Sequence, residues 1–301
     1  MRTVYLGTSE FAATVLERLE ASPHAPGLVI SRPDARRGRG RRTAPPPVAE
    51  AARTLGVELY QPERVGDEYA LERIAAFEPD AVVICAYGAL IREPLLSGYP
   101  MFNVHPSLLP RWRGAAPIER AIEAGDERTG VCIMRPTAEL DAGPVCLAEA
   151  EPIRPDDDYG SLSARLADLA GELLVRALDE RPDFVRQSEE GVTFASKVEP
   201  VERELTADRT AVELERRVRA LSHLGTWVSV SGVERLGVRR TRLSGPGETA
   251  PGQLAVQEGR LLYGAADRPL ELVEVRPAGG RAMDAAAYLR GHGTAIARMA
   301  A

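Results

Sequence analysis

The chain has 301 residues, 44% of them hydrophobic and 27% charged, with a formal net charge of −6. That length holds one large domain or, as the pattern below favours, two, and the composition is that of an ordinary globular protein. A net acidic chain is no general polycation, which leaves nucleic-acid binding to the local placement of charge.

The three cysteines, Cys85, Cys132 and Cys146, stand in or beside apolar runs, which reads as buried thiols in a reducing compartment. No Cys/His cluster has zinc spacing, so no metal is expected. No stretch approaches the roughly 18 apolar residues of a membrane span. Met1-Arg2-Thr3-Val4 enters a strand at once, leaving no room for a signal peptide. A cytoplasmic protein without membrane contact is expected.

In chain order, Thr3–Leu6 reads as a strand and Gly7-Thr8-Ser9-Glu10-Phe11 as the turn into a helix through Glu20, with Val15, Leu16 and Leu19 on one face. Leu28–Ser31 is a second strand. Residues 46–55 form a helix opened by prolines and closed by Gly56. Val57–Tyr60 is a short strand, Tyr69–Phe77 a helix, and Ala81–Ala86 a continuous apolar strand of the fully buried kind. This alternation predicts an α/β fold with a Rossmann-like doubly wound parallel sheet. Gly7-Thr8-Ser9-Glu10 lacks the glycine fingerprint, so the fold carries no NAD reading. A helix follows at Ala116–Ala124, a strand at Gly130–Met134, a polar turn at Pro152–Asp158, and a helix at Ser161–Leu178 with Leu162, Leu166, Leu169 and Leu173 inward. Periodicity fades after Arg181. Beyond a helix at Ala211–Leu221 come short strand-like runs at Trp227–Val230, Leu236–Leu243, Gln253–Val256, Arg260–Tyr263 and Leu270–Val275, a spacing that suits a small β-barrel.

Between Arg32 and Thr43, arginines alternate with glycines and no apolar periodicity exists. The loop is expected to be exposed and mobile. It reads either as a solvated charge run or as a phosphate-gripping finger, since guanidinium binds phosphate bidentately and glycine allows close approach.

In doubly wound sheets, ligands sit beyond the carboxyl ends of the strands. Three features are expected to converge there: Tyr87-Gly88-Ala89-Leu90-Ile91 after the buried strand, the end of the next strand, and Asp141 after Gly130–Met134. That next strand opens Phe102-Asn103-Val104-His105-Pro106-Ser107-Leu108-Leu109-Pro110-Arg111-Trp112-Arg113-Gly114. With period two, Asn103 and His105 face one way and Val104 the other. Pro106 and Pro110 then stiffen the loop that follows. His24, His223 and His292 have no partners in sequence and read as surface residues. Ser107 lies in no Gly-x-Ser-x-Gly elbow, which speaks against a serine hydrolase.

The run from Asn103 to Ile118, together with Leu140-Asp141-Ala142-Gly143, resembles the signature of the folate-dependent formyltransferases. Its second half is most similar to the branch of that family that formylates charged tRNA. The resemblance implies 10-formyltetrahydrofolate as formyl donor and methionyl initiator tRNA as acceptor. It also implies an oxyanion held by Asn103 and His105, with Asp141 orienting His105 and relaying a proton. Ser107, Leu108, Leu109 and Pro110 would line the folate site, with Tyr87, Gly88, Leu90 and Ile91 facing the pterin. Arg36, Arg37, Arg39, Arg41 and Arg42 would belong to an insertion that reaches the acceptor end of the tRNA.

The loss of periodicity in a stretch rich in charge and proline places a linker over 185–205, between a catalytic domain over 1–184 and a C-terminal domain over 206–301, which the resemblance implies is an OB-like β-barrel that binds tRNA. A monomer is expected. Two family features are missing: an Ile-Asp-Trp-like triplet is expected where Glu204-Leu205-Thr206 stands, and a Pro-aromatic-Pro-Gly-like turn where Ser222–Trp227 stands. The alternatives are an N-formyltransferase acting on a nucleotide-linked amino sugar, a silent tRNA-binding module, and hydrolysis of the formyl folate. The arginine loop speaks against the first, and Asn103, His105 and Asp141 against the second.

Overall fold

The computed structural model describes residues 1–37, 42–230, 233–245, 247 and 249–299. Two compact units emerge: Met1–Pro117, Arg128–Pro152 and Ser163–Ala195 form the first, and Ile118–Glu127, Ile153–Leu162 and Ser196–Ala301 the second.

The first unit opens with β1 (Thr3–Gly7) and α1 (Glu10–Glu20), where the Ser9 hydroxyl accepts the Ala12 N–H and starts the helix. Then come β2 (Pro26–Ile30), the short pair β3 (Ala35–Arg37) and β4 (Arg42–Ala44), α2 (Pro47–Leu55), β5 (Glu58–Tyr60), α3 (Glu68–Ala76) and β6 (Ala81–Cys85). After α4 (Leu95–Gly98), β7 (Met101–His105) carries the Asn-Val-His run, and β8 (Arg113–Gly114) follows the proline loop. The remaining elements before the second sheet are α5 (Pro117–Ala124), β9 (Arg128–Met134), β10 (Val145–Pro152), α6 (Tyr159–Glu180) and β11 (Phe194–Ala195).

One sheet organises this unit, in the order β10-β9-β7-β6-β1-β2-β5. The five strands from β5 to β7 are parallel, as the β/α alternation requires. β1 and β6 are buried along their full length, so their sequences read as apolar runs without alternation. The far edge departs from the expected parallel arrangement: β9 runs antiparallel to both β7 and β10. β10 itself was not expected. Its Glu149 and Glu151 lie on a half-exposed edge strand whose composition reads as loop.

The segment 185–195, expected within the linker, is hydrogen-bonded into the first unit. Val145 and Val185 exchange backbone hydrogen bonds at 2.9 Å, and β11 pairs with β8 in parallel. His24 also differs from its surface reading: it is buried, with Nε2 2.8 Å from Asp179 Oδ1.

The expected OB-like barrel domain is a six-stranded antiparallel sheet. It contains α7 (Ala211–Leu221), β12 (Thr226–Val230), β13 (Val233–Leu243), β14 (Leu254–Gln257), β15 (Arg260–Gly264), β16 (Pro269–Arg276), β17 (Met283–Asp284) and α8 (Ala285–Met299). The strand order is β12-β13-β16-β15-β14, with β17 on β16. Leu214 and Val218 of α7 and Tyr288 and Ile296 of α8 share a core with Leu236, Val238, Leu261 and Leu272. A capping box starts α7, in which the Thr210 hydroxyl accepts the Glu213 N–H and the Glu213 carboxylate accepts the Thr210 N–H. The two segments that depart from the family pattern meet here: the Leu205 N–H donates to Trp227 O at 2.8 Å, and Arg203 Nη1 donates to Leu224 O at 2.6 Å.

Candidate active site

At the switch point of the sheet, the loops after β1 and β6 are tied together: the Thr8 hydroxyl donates to Tyr87 O at 2.7 Å. One strand further along, β7 presents Asn103 and His105 on the same face, about 7 Å apart along the strand. Asn103 is half-buried, and among the described residues its carboxamide has no partner in the chain. His105 is 4% exposed.

The tautomer of His105 follows from its neighbours. Nε2 lies 2.9 Å from Trp112 O, and a carbonyl only accepts, so Nε2 carries a proton in either charge state. Nδ1 is therefore the nitrogen that gains and loses a proton. It faces Asp141 Oδ2 at 3.7 Å, close enough for charge interaction and too long for a hydrogen bond. Asp141 Oδ2 in turn accepts the Gly114 N–H at 2.8 Å.

These partners are backbone groups, and the chain fixes them closely. Trp112 (φ 62°) donates its N–H to Thr193 Oγ1 at 2.9 Å, and Arg113 donates its N–H to Thr193 O at 2.9 Å. Gly114 has φ 125°, and a Cβ there would stand 2.6 Å from Ala195 O, so no other residue fits β8 against β11. Asp141 itself has φ 47°, in the left-handed region that costs a non-glycine residue about 1–2 kcal/mol.

The route by which Asp141 arrives differs from the sequence argument. Because β9 is antiparallel, Met134 lies beside Asn103 and the strand ends toward the start of β7. The loop 135–144 must therefore double back to bring Asp141 to His105, and its meeting with His105 does not follow from parallel topology.

Of the other expected site residues, Ser107 is fully buried, and its hydroxyl closes its own loop by donating to Arg111 O at 2.6 Å. The Leu109 N–H is directed at Cys132 Sγ at 3.4 Å, Leu108 packs over Gly130 of β9, and Pro110 is half-buried. Burial pushes the Cys132 thiol up to about 11, opposed by that N–H. Tyr87 is buried in the core with Val4, Leu6 and Ile84, and burial raises its phenol while the Arg32 charge opposes. Gly88 (φ 80°) and Leu90 are exposed, Leu90 at 67%, and Ile91 is half-buried.

In the arginine loop, Arg36 is exposed on β3, while Arg37 and Arg42 pair across β3 and β4. The described flanks of the expected irregular loop thus form a short antiparallel pair. Arg39 and Arg41 lie outside the described residues. Sequence reasoning missed Trp112 O and Gly114 N–H as partners of His105 and Asp141, because main-chain groups leave no residue-type signal.

The chain matches the formyl transferase family over residues 1–178 and the formyl transferase C-terminal domain over 197–293. A mixed α/β sheet domain followed by an antiparallel-sheet domain, each matched by its own family model, places the chain among the formyl transferases. The chain is 42% identical to the methionyl-tRNA formyltransferase of Halorhodospira halophila, covering 96% of both chains, and 39% identical to that of Ruegeria pomeroyi, covering 97% of both. It belongs to the methionyl-tRNA formyltransferase family. In fold, it is also similar to the N-formyltransferase of Helicobacter canadensis solved with folinic acid and dTDP-3-aminofucose (TM-score 0.65, 13% identity, covering 90% of this chain and 98% of that one).

Proposed function

We propose that this chain transfers the formyl group of 10-formyltetrahydrofolate to the α-amine of methionyl initiator tRNA, with Asn103, His105 and Asp141 as catalytic residues. The observation that carries the reading is His105, whose Nε2–H is fixed on Trp112 O while Nδ1 stays free to exchange a proton beside Asp141. The attacking nitrogen forms a bond to the formyl carbon, and the carbonyl oxygen gains the charge. Asn103 can donate an amide N–H to that oxygen, and protonated His105 a charge-assisted bond from Nδ1. Collapse breaks the bond to the folate nitrogen, which takes up the proton that the amine gives away. Asp141, an acceptor when ionised, is placed to hold a water for that relay.

Exposed Leu90 with half-buried Ile91, Leu108 and Leu109 supplies the apolar walls that a flat heteroaromatic ring needs. Among the described residues no cluster of His, Cys, Asp or Glu could hold a metal ion, and no helix is long and apolar enough to cross a membrane. The place of the reaction in translation supports a cytoplasmic location.

The amino-sugar alternative is not favoured, since the 42% relative is a methionyl-tRNA enzyme and the sugar enzyme shares only 13% identity. The test is incubation with 10-formyltetrahydrofolate and methionyl initiator tRNA, an amino-sugar nucleotide, or buffer alone. Formyl is expected on the tRNA only. Formate release independent of acceptor would overturn the reading.

A further inference from the structure

Gln187 lies in the aperiodic stretch after α6, with no sequence signal to mark it. Its carboxamide uses all the hydrogen-bonding capacity an amide has. Nε2 donates to Asp141 O at 2.8 Å and to Gly143 O at 2.7 Å. Oε1 accepts from Arg113 Nε at 3.0 Å and from Arg113 Nη2 at 2.8 Å. Arg113 is 9% exposed, so its guanidinium is committed to this amide away from water.

The two groups joined in this way are the neighbours of the proposed catalytic pair. On one side stands Asp141, at φ 47° with its own carbonyl and that of Gly143 clamped, in a turn where Gly143 has no room for a side chain, since a Cβ would lie 1.8 Å from Arg135 O. On the other side, Arg113 lies between Trp112, whose carbonyl takes the His105 Nε2–H, and Gly114, whose N–H meets the Asp141 carboxylate. A single amide therefore couples the left-handed turn that aims the carboxylate to the short strand that orients the imidazole.

We propose that Gln187 is a positioning residue for formyl transfer, latching the Asp141 turn to β8 so that Asp141 and His105 keep their mutual geometry. This rests on the catalytic reading of Asp141 given above. Gln187 acts through Asp141 and touches neither substrate. Gln187→Glu keeps the shape and the Arg113 contacts but turns two donors into an acceptor facing two carbonyls, which opens the latch.

The test measures kcat and KM for the wild type, Q187A, Q187E, D141N and the Q187A/D141N pair, with thermal melting as a check on folding. Displacement of a catalytic group by an ångström costs about 100-fold, so kcat of Q187A and Q187E is expected to fall about 10- to 100-fold while both KM values change less than about threefold. In the D141N background, Q187A is expected to cost less than about twofold more, because the group it positions is already gone. Should Q187A fail to fold, Q187E measured in the wild-type and D141N backgrounds decides in its place, with the same pattern expected. A loss equally large with and without Asp141 overturns the latch. Near-normal turnover of D141N overturns the catalytic reading itself, a different outcome from a slow D141N beside fully active Gln187 variants.

Discussion

His105 has two ring nitrogens in unlike surroundings, and that asymmetry defines the part proposed for it in the chemistry. Nε2 is spent on Trp112 O, so only Nδ1 can deliver or take a proton at the reacting carbonyl. Asn103, on the same face of β7, offers a donor that needs no charge change. Loss of one oxyanion donor costs about 10²–10³ in rate, so Asn103→Ala and His105→Ala are each expected to lower kcat by that order. The melting temperature stays near that of the wild type for Asn103→Ala and falls for His105→Ala, which leaves Trp112 O without its donor. Steady-state formylation of charged tRNA checks this, and near-normal turnover of both variants ends the oxyanion proposal. At this scale the placement of Asn103 and His105 in the candidate site was legible, because period two puts them on one face whatever the fold. Their fixed partners were not, since Trp112 O and Gly114 N–H are made available by φ values that no residue name announces.

Among the elements, β1 and β6 were legible because strands buried on both faces read as unbroken apolar runs. β10 was missed because its edge position leaves Glu149 and Glu151 in its sequence, and α8 because Gly291 and Gly293 interrupt its helical pattern. The antiparallel turn of β9 was missed for a different reason: strand direction is a property of the connection, which sequence periodicity does not carry. Burial in these strands has a chemical consequence. The Cys85 thiol of β6 is pushed up to about 12 and that of Cys132 in β9 to about 11, in both cases by desolvation first. Thiolate, the reactive form, is then scarce at neutral pH. Ellman's reagent at about pH 8 is expected to leave Cys85 and Cys132 untouched in the folded protein and to titrate them once urea unfolds it. Rapid native reaction at either position contradicts the burial. The same shifts set a stability trend. Outside the fold both thiols titrate near 9.0, so their contribution is intact below about pH 9 and is lost as pH rises through the folded values. Urea midpoints measured upward from about pH 8 should fall, and the fall should be smaller in a Cys85→Ser variant that folds.

For the molecule as a whole, charge is the property that composition misrepresents. The formal charge of −6 repels a polyanion, yet residues 206–301 carry 14 Arg against 10 Asp or Glu, and the loop from Arg36 to Arg42 concentrates five more arginines. A nucleic acid reads these local fields and not the sum. Arginine contacts to phosphate release counterions, so binding should weaken steeply with salt, the slope of log K against log salt being about −0.9 per neutralised phosphate for duplexes and about −0.7 for single strands. Replacing Arg36, Arg37, Arg39, Arg41 and Arg42 together with Ala is expected to weaken charged-tRNA binding at about 50 mM salt and to flatten that slope by roughly 2–4. Folate binding should stay within about twofold, because a ring held by apolar walls and main-chain groups does not depend on this loop. Titrations of tRNA and of folate against the same variant, at several salt concentrations, separate the two effects. Equal affinity for charged tRNA and an unchanged slope would take the arginine loop out of substrate recognition and leave that work to the C-terminal sheet.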